Sequence, residues 1–371
     1  MTDMRIAYDH QIFGWQDYGG ISRYFYELAR EMATTCKQQV RIIAPLYVNR
    51  YLDRAPAELQ VFGTASPYLP KSGRLYRFVN ALVAAPLLRR FRPDIVHETY
   101  YANTGVAPRG ARVVLTVFDM IHERFKESIS IFDPVRREKV RAVKRADHVI
   151  CISEQTRRDL LDMIDIDPAR TSVVHLGFSL TATTPVHACQ IAARRPFLLY
   201  VGKRGGYKNF DGLLRAYAAS SLLKAEFDLV CFGGGAVTAA ERDLMQHLNL
   251  PAGRVRQVSG DDTVLEAHYR AAAAFVFPSL YEGFGLPPLE AMSFDCPVAC
   301  SGVSSIPEVV GDAAAIFDPY DAEAMRGTIE RLVGDDDLRR SLVLRGRERL
   351  QVFSWTRCAH ETLDVYGKVL G

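Results

Sequence analysis

The chain has 371 residues, 48% of them hydrophobic and 24% charged, with a formal net charge of +3. That length suits two domains of roughly 150 to 200 residues rather than one core, and the composition excludes a disordered chain. The basic excess belongs to the first half, +6 over residues 1–180 against −3 over 181–371.

Seven cysteines (Cys36, Cys151, Cys189, Cys231, Cys296, Cys300 and Cys358) are scattered and contain no Cys-x-x-Cys pair. They are expected to be reduced thiols of a cytosolic protein. Cys296 and Cys300 lie close in sequence without a His or Cys cluster beside them, so no metal site is expected. No apolar run reaches the length of about 18 residues that a membrane helix needs, and the N-terminus has no signal-peptide core. Neither export nor membrane spanning is expected.

Met4 to Asp9 opens the chain as a strand, followed by Gly19-Gly20 and an amphipathic helix from Ile21 to Met32. A strand, a glycine turn and a helix make the first unit of a doubly wound α/β domain. Without a full Gly-x-Gly-x-x-Gly pattern, Gly19 and Gly20 fit either a phosphate loop or a plain tight turn. Val40 to Pro45 and Asp94 to Glu98 read as further strands. Between them, segment 70–93 carries six basic residues and no acid. It fits either a helix touching an anionic membrane surface or a half-buried helix with a solvated basic face.

Arg112 to Asp119 is a strand running into a loop that holds His122. Because the carboxyl ends of parallel strands face the ligand crevice, Asp119 and His122 are placed to meet a substrate. A basic helix from Pro134, a strand from His148 and a helix after Ser153 follow. Residues 1–180 form the first expected domain, 181–195 a linker poor in pattern, 196–353 the second domain and 354–371 a terminal helix.

The second domain opens with strand Pro196 to Val201, then Gly202, Lys203 and, at the mouth of a helix, Lys208. Two cations on a glycine loop suit a diphosphate, although an ordinary exposed basic loop reads the same way. Phe227 to Gly235 and Arg254 to Gly260 continue the alternation, with a helix expected from Leu265. Ala274 to Phe277 is a buried strand ended by Pro278. Glu282, Gly283, Phe284 and Gly285 form a loop, and Leu286, Pro287 and Pro288 open a helix that carries Glu290. Free N–H groups at that helix start make an anion seat. Two carboxylates beside it suit hydroxyl groups, one on a sugar and one on a ribose.

The stretch Glu282-Gly-Phe-Gly-Leu-Pro-Pro-Leu-Glu290 resembles the paired-glutamate signature of retaining GT-B glycosyltransferases, the large mannosyltransferase-like group called glycosyltransferase family 4. The resemblance implies two Rossmann-like domains facing across a cleft, with the terminal helix crossing back to the first. It implies that Gly19 and Gly20, Lys203 and Lys208, and Gly283, Phe284, Gly285 and Leu286 meet the donor diphosphate. Glu282 is then the residue on the donor sugar, Glu290 the one on the ribose, and Val258 the place where backbone groups seat the base. Asp119 and His122 match the loop near the reacting sugar and acceptor. The family often has His-Asp there, and Phe118 stands in place of that His, so the choice between Asp119 and His122 stays open.

By resemblance the reaction retains configuration, uses no protein nucleophile and needs no cofactor or metal. No Asp-x-Asp pair of the metal-binding type is read. The opening Tyr8-Asp-His-Gln-Ile-Phe13 with Gly19-Gly-Ile-Ser-Arg-Tyr-Phe25 resembles bacterial polysaccharide mannosyl- and rhamnosyltransferases. That favours GDP-mannose as donor and a glycan or lipid-linked glycan as acceptor, in the cytoplasm or at the inner membrane face, with no nucleic-acid partner. A UDP-sugar transferase, a catalytically silent nucleotide- or glycan-binding subunit, and a dehydrogenase are the alternatives. The last is disfavoured because no acidic ribose-binding residue follows a complete glycine fingerprint.

Overall fold

Short apolar runs alternate with amphipathic helices along the whole chain, the pattern of parallel βαβ units. A computed structural model, which describes residues 3–67, 73–125, 133–179 and 195–371, resolves that alternation into two units. One comprises Met1–Gly177 with Phe353–Gly371 and the other Phe178–Val352. Positions 181–194 of the expected linker lie outside the described residues.

The first unit carries strands β1 (Arg5–Tyr8), β2 (Gln39–Tyr47), β3 (Gln60–Ala65), β4 (Ile95–Glu98), β5 (Arg112–Val117), β6 (His148–Cys151) and β7 (Thr171–Val173). Its helices are α1 (Gly20–Thr34), α2 (Gly73–Phe91), α3 (Ile121–Arg124), α4 (Val135–Arg145) and α5 (Glu154–Met163). The strands pair in the order β3-β2-β1-β4-β5-β6-β7, parallel throughout. Strand order reverses between β1 and β4, and the exits of those two strands are where such a sheet holds a ligand. Every residue of β4 and β6 is buried, as expected of strands covered on both faces.

The last helix, Trp355–Leu370, belongs to this unit and lies against α1. Thr356 donates to Glu31 Oε1 at 2.6 Å. Deeper in, the Tyr366 hydroxyl is 2.6 Å from His97 Nδ1 on β4, and His97 Nε2 is 2.8 Å from the Thr116 hydroxyl on β5. Complete burial pushes His97 down to about 3, so the ring is neutral and both nitrogens are used. A Cβ added at Gly177 would stand 2.4 Å from the Trp355 ring, so only glycine lets the helix start sit there.

Helix α2 departs from the simple picture of a basic face. Its inward side presents Asn80, Ala84 and Leu88 to the core, with the Asn80 amide closing a pair of hydrogen bonds on the Leu46 backbone, 2.7 and 2.9 Å. Its solvent side carries Leu75, Phe78 and Leu82 besides Arg77, Arg89 and Arg90. Positions 70–72 of the basic segment lie outside the described residues.

The second unit repeats the architecture with β8 (Phe197–Val201), β9 (Asp228–Phe232), β10 (Val255–Val258), β11 (Ala274–Phe277), β12 (Val298–Ser301) and β13 (Ala315–Phe317). They pair in parallel in the order β10-β9-β8-β11-β12-β13, reversing between β8 and β11. Around them lie α6 (Phe210–Ala219), α7 (Ser221–Glu226), α8 (Ala239–His247), α9 (Asp262–Ala271), α10 (Leu286–Ser293), α11 (Ile306–Val310), α12 (Ala322–Gly334) and α13 (Asp336–Leu350). Helix α9 begins earlier than the apolar pattern suggests because Asp261 caps it, accepting from Val264 N at 3.1 Å. The core gathers Leu198, Tyr200, Leu213, Tyr217, Val276 and Ile329. Cys151, Cys231, Cys296, Cys300 and Cys358 are buried free thiols and Cys36 a half-buried one, while Cys189 lies outside the described residues.

Candidate active site

In the second unit the reversal point brings together two loops. After β8 the backbone turns through Gly202 (φ 122°), Gly205 (φ 143°) and Gly206 (φ 53°), a left-handed run that glycine permits at little cost. It delivers Lys208 to the mouth of α6. After β11, Pro278 stops the strand and the chain passes through Glu282 to Gly285, whose φ of 104° sets the start of α10. Lys208 Nζ and Glu282 Oε1 meet at 2.7 Å, and the Phe277 ring lies 5.8 Å from the ammonium.

The Glu282 loop is fixed from beneath. Glu282 N donates to Ser304 Oγ at 3.1 Å, and Ser304 Oγ returns a hydrogen bond to Glu282 O at 2.8 Å. Ser305 Oγ lies 2.8 Å from Glu282 O and 2.9 Å from Phe284 O, donating to one or the other. Gly283 and Phe284 are buried, whereas Leu286, first residue of α10, is half-buried. No side chain caps α10; Pro287 and Pro288 carry no N–H, so its first turn offers a ligand the Leu286 N–H and the positive dipole end. Glu290, in the second turn, accepts from the buried Tyr269 hydroxyl at 3.2 Å. Lys203 is exposed, and its carbonyl is pinned by Tyr200 OH at 2.5 Å. Val258 ends β10, its carbonyl accepting from Gly233 N and Gln257 Nε2, both at 2.9 Å.

Arg204, beside Lys203, was not singled out by its sequence, yet it organises this end of the sheet. Its guanidinium is buried, pairs with Glu241 at 2.9 Å, and donates to the carbonyls of Gly233, Gly235 and Ala236 at 3.0, 2.9 and 3.0 Å. Burial alone would raise the Glu241 carboxyl, but hydrogen bonds from Thr238 and Arg204 hold it below its ordinary value. The triglycine Gly233–Gly235, all at positive φ, is therefore tied to the β8 loop through one side chain.

In the first unit, Gly19 is extended at φ 176° and Gly20 is the first residue of α1. Neither is left-handed, so neither is glycine because a backbone turn demands it. Gly19 is small because a Cβ there would stand 2.3 Å from Gln16 Oε1, and Gly20 opens onto empty space. Asp119 Oδ1 accepts from Ile121 N at 3.0 Å, shaping the turn into α3. Lys139 holds the same loop from α4, donating to Asp119 O and to Glu123 Oε2, each at 2.8 Å. His122 lines a cavity of about 710 Å³ and lies 3.5 Å from Asp133 Oδ2; Asp119 is not in that wall. Phe118, in the place of the family's His, packs edge-on against Tyr24.

Two further residues border this cavity at the β1 and β4 exits, His10 and Tyr100. The rule that picked Asp119, a polar residue just past a strand, applies equally to His10. Asp9 beside it is buried and accepts from Thr99 N at 2.9 Å and Thr99 Oγ1 at 2.6 Å, locking the two exits together. Two Asp-x-Asp spacings do occur, at Asp165 to Asp167 and Asp335 to Asp337. Asp167 caps a short turn and Asp335 caps α13, so both are accounted for by helix starts.

Two doubly wound parallel sheets, with cations and acids gathered at the reversal point of the second, define a GT-B glycosyltransferase. Residues 18–182 match the family model described as Glycosyltransferase Family 4, and residues 188–349 the model described as Glycosyl transferases group 1. The chain belongs to this glycosyltransferase family. It is similar to the O-antigen chain mannosyltransferase B of Escherichia coli, 28% identical over 94% of this chain and 95% of that one. It is also similar to the D-inositol 3-phosphate glycosyltransferase of Salinispora tropica, 28% identical over 96% and 82%. Among solved structures, sucrose-phosphate synthase from Thermosynechococcus elongatus has a TM-score of 0.73 at 22% identity, covering 99% of each chain; at that identity the likeness speaks for the fold alone.

Proposed function

We propose that the protein is a retaining glycosyltransferase that moves mannose from GDP-mannose to a glycan or lipid-linked glycan in surface-polysaccharide synthesis. The observation that carries this is the Lys208–Glu282 pair at the reversal point of the second sheet, 2.7 Å apart and beside the uncapped start of α10. Departure of the nucleoside diphosphate develops negative charge. Lys203, Lys208 and the start of α10, with its Leu286 N–H and positive dipole end, supply the stabilisation without a metal ion. Glu282 takes a donor-sugar hydroxyl, Glu290 the ribose, and backbone groups near Val258 the base. The leaving phosphate assists front-face attack, so no protein nucleophile is used. Asp119 and His122 serve the acceptor side, His122 from the wall of the first unit's cavity.

Mannose is favoured by the E. coli relative, whose name assigns it that sugar. A phosphorylated polyol is a second reading of the acceptor, supported by the name of the Salinispora relative. The exposed Leu75, Phe78 and Leu82 of α2, flanked by Arg77, Arg89 and Arg90, support peripheral contact with an anionic membrane. No described helix is long and apolar enough to cross one.

A thermal-shift panel of GDP-, UDP-, ADP- and dTDP-sugars with NAD tests the donor. GDP-mannose is expected to give the largest stabilisation. A larger response to a UDP-sugar changes the donor, and no response to any sugar nucleotide favours a silent binding subunit.

A further inference from the structure

Asn209 breaks two rules at the start of α6. It stands in the left-handed region, φ 53° and ψ 38°, which a residue with a Cβ seldom enters and Asn enters more readily than most. A residue in that place is ordinarily extended, with its side-chain oxygen closing a free N–H of the first turn. Here no side chain caps α6. The Asn209 amide turns to the loop after β13, where its Nδ2 donates to the carbonyl of the buried Pro319 at 2.8 Å.

Both departures bear on the residue before it. Lys208 closes the tight turn Gly206–Lys208, and the left-handed step at Asn209 separates that turn from α6, so the helix does not run back through Lys208. The turn is held from two directions. Tyr207 O accepts from Leu280 N, on the chain leading to Glu282, at 2.7 Å, and Asn209 is tethered to Pro319. Between these two ties the Lys208 ammonium meets Glu282 at 2.7 Å. The third residue of α6 is fitted to the same amide: a Cβ at Gly212 would stand 2.4 Å from Asn209 Oδ1 and 2.8 Å from its Nδ2. Glycine is a poorer helix former than alanine, and here it leaves the amide room to reach Pro319. A left-handed residue, an uncapped helix and a helical glycine that all serve one side chain disfavour local stability, as is common where a site is held in place.

We propose that Asn209 is a positioning residue for Lys208: its left-handed backbone and its tether to Pro319 aim the ammonium at the place of the donor diphosphate, and Asn209 acts on the donor through Lys208. The proposal rests on the reading of Lys208 as a diphosphate cation. A lysine on a loose loop gives up conformational freedom when it binds, whereas one already held gives up less. A residue that meets no phosphate oxygen can therefore still set the affinity.

Isothermal titration of the full chain with GDP and with UDP, each beside its nucleoside, tests this. The tighter diphosphate is expected to weaken about tenfold in Asn209→Ala, the scale of one charge-assisted hydrogen bond, while its nucleoside binds within about twofold of wild type. Gly212→Ala separates position from folding. Alanine suits a helix better, so the melting temperature should stay at or above the wild-type value while diphosphate affinity falls as in Asn209→Ala. In a Lys208→Ala background, Asn209→Ala should change diphosphate affinity no further, because its route to the ligand is already gone. A full second loss in that double variant, a nucleoside weakened as much as the diphosphate, or wild-type diphosphate affinity in Asn209→Ala or Gly212→Ala overturns the inference. Failure of the wild type to bind either diphosphate, or of Lys208→Ala to weaken it, defeats the reading of Lys208 instead, so the two failures are told apart.

Discussion

Lys208 and Glu282 stand 74 residues apart in sequence and 2.7 Å apart in space, joining the loops that leave two neighbouring strands of one sheet. Their side chains are 23% and 12% exposed, so each keeps a face for a ligand. In the function proposed above, the pair holds a cation for the diphosphate and a carboxylate for the sugar.

Lys208→Ala and Glu282→Ala are each expected to cut transfer by at least about 100-fold, the scale of losing one preorganised electrostatic contact. Because the pair is partly solvated, stability should change by only about 1 kcal/mol. Product formation measured beside a melting curve separates the two effects; wild-type turnover in either variant would sink the site assignment.

Arg204 makes the opposite prediction. Its buried guanidinium supports Glu241 and three carbonyls, and Arg204→Ala removes that donor from all four, leaving Glu241 with Thr238 N and Gly233 O with Gln257 Nε2. We expect a loss of about 3 to 5 kcal/mol in urea unfolding, as for other broken buried pairs. Arg204→Lys recovers only part, since an ammonium lacks the planar fork that reaches Glu241 and the triglycine together. A full recovery would show that charge alone matters at this position.

His97 ties stability to pH. Its folded value is depressed to about 3 against 6.5 in the unfolded chain, so below pH 6.5 the unfolded state takes up a proton that the folded state refuses. The contribution is complete above pH 6.5 and drains away as pH falls toward 3, by about 2 kcal/mol at pH 5. Other groups titrate over the same range, Glu98 in the opposite sense because burial raises it to about 7 despite Arg145. The readout is therefore the stability gap between wild type and His97→Gln, which should narrow by that amount between pH 7 and pH 5. A constant gap rules out a neutral, fully bonded His97.

Much of this was legible from residue order. Ala274 to Phe277 followed by proline, glycine and paired prolines could hardly be other than a strand, a loop and a helix start. Lys208 and Glu282 followed from the chemistry such a corner needs. What escaped was long-range or masked by residue type. Arg204 reads as one more cation in a basic loop, and its burial depends on Glu241 arriving 37 residues later. The pairing of His97 with Tyr366 spans 269 residues, beyond any local period. Gly19 looked like a turn glycine but is small because Gln16 folds over it, a fact about a neighbour's rotamer rather than about backbone. On α2, charge was visible in the sequence, but the exposure of Leu75, Phe78 and Leu82 required knowing which side of the helix met the sheet.

That exposed face supplies a fourth test. Vesicles containing anionic phospholipid are expected to retain the wild-type protein in a sedimentation assay and to release it as salt is raised. Replacing Phe78 with Glu removes an apolar contact and adds a repelled charge, so binding should fall about tenfold or more. Equal retention of Phe78→Glu, or equal retention on vesicles of neutral lipid, would show that α2 does not meet the membrane.

The placement of Trp355 and Tyr366 in the first unit sets a timetable for biosynthesis. Residues 178–352 are contiguous, so the second unit can fold on the ribosome as soon as it emerges. The first unit, begun earlier, lacks the partner for His97 and the ring over Gly177 until the closing turns of the chain leave the exit tunnel. The half made first is thus finished last, and a chain released a few residues before Tyr366 emerges with its second unit complete and its first still open, a natural target for chaperones and proteases.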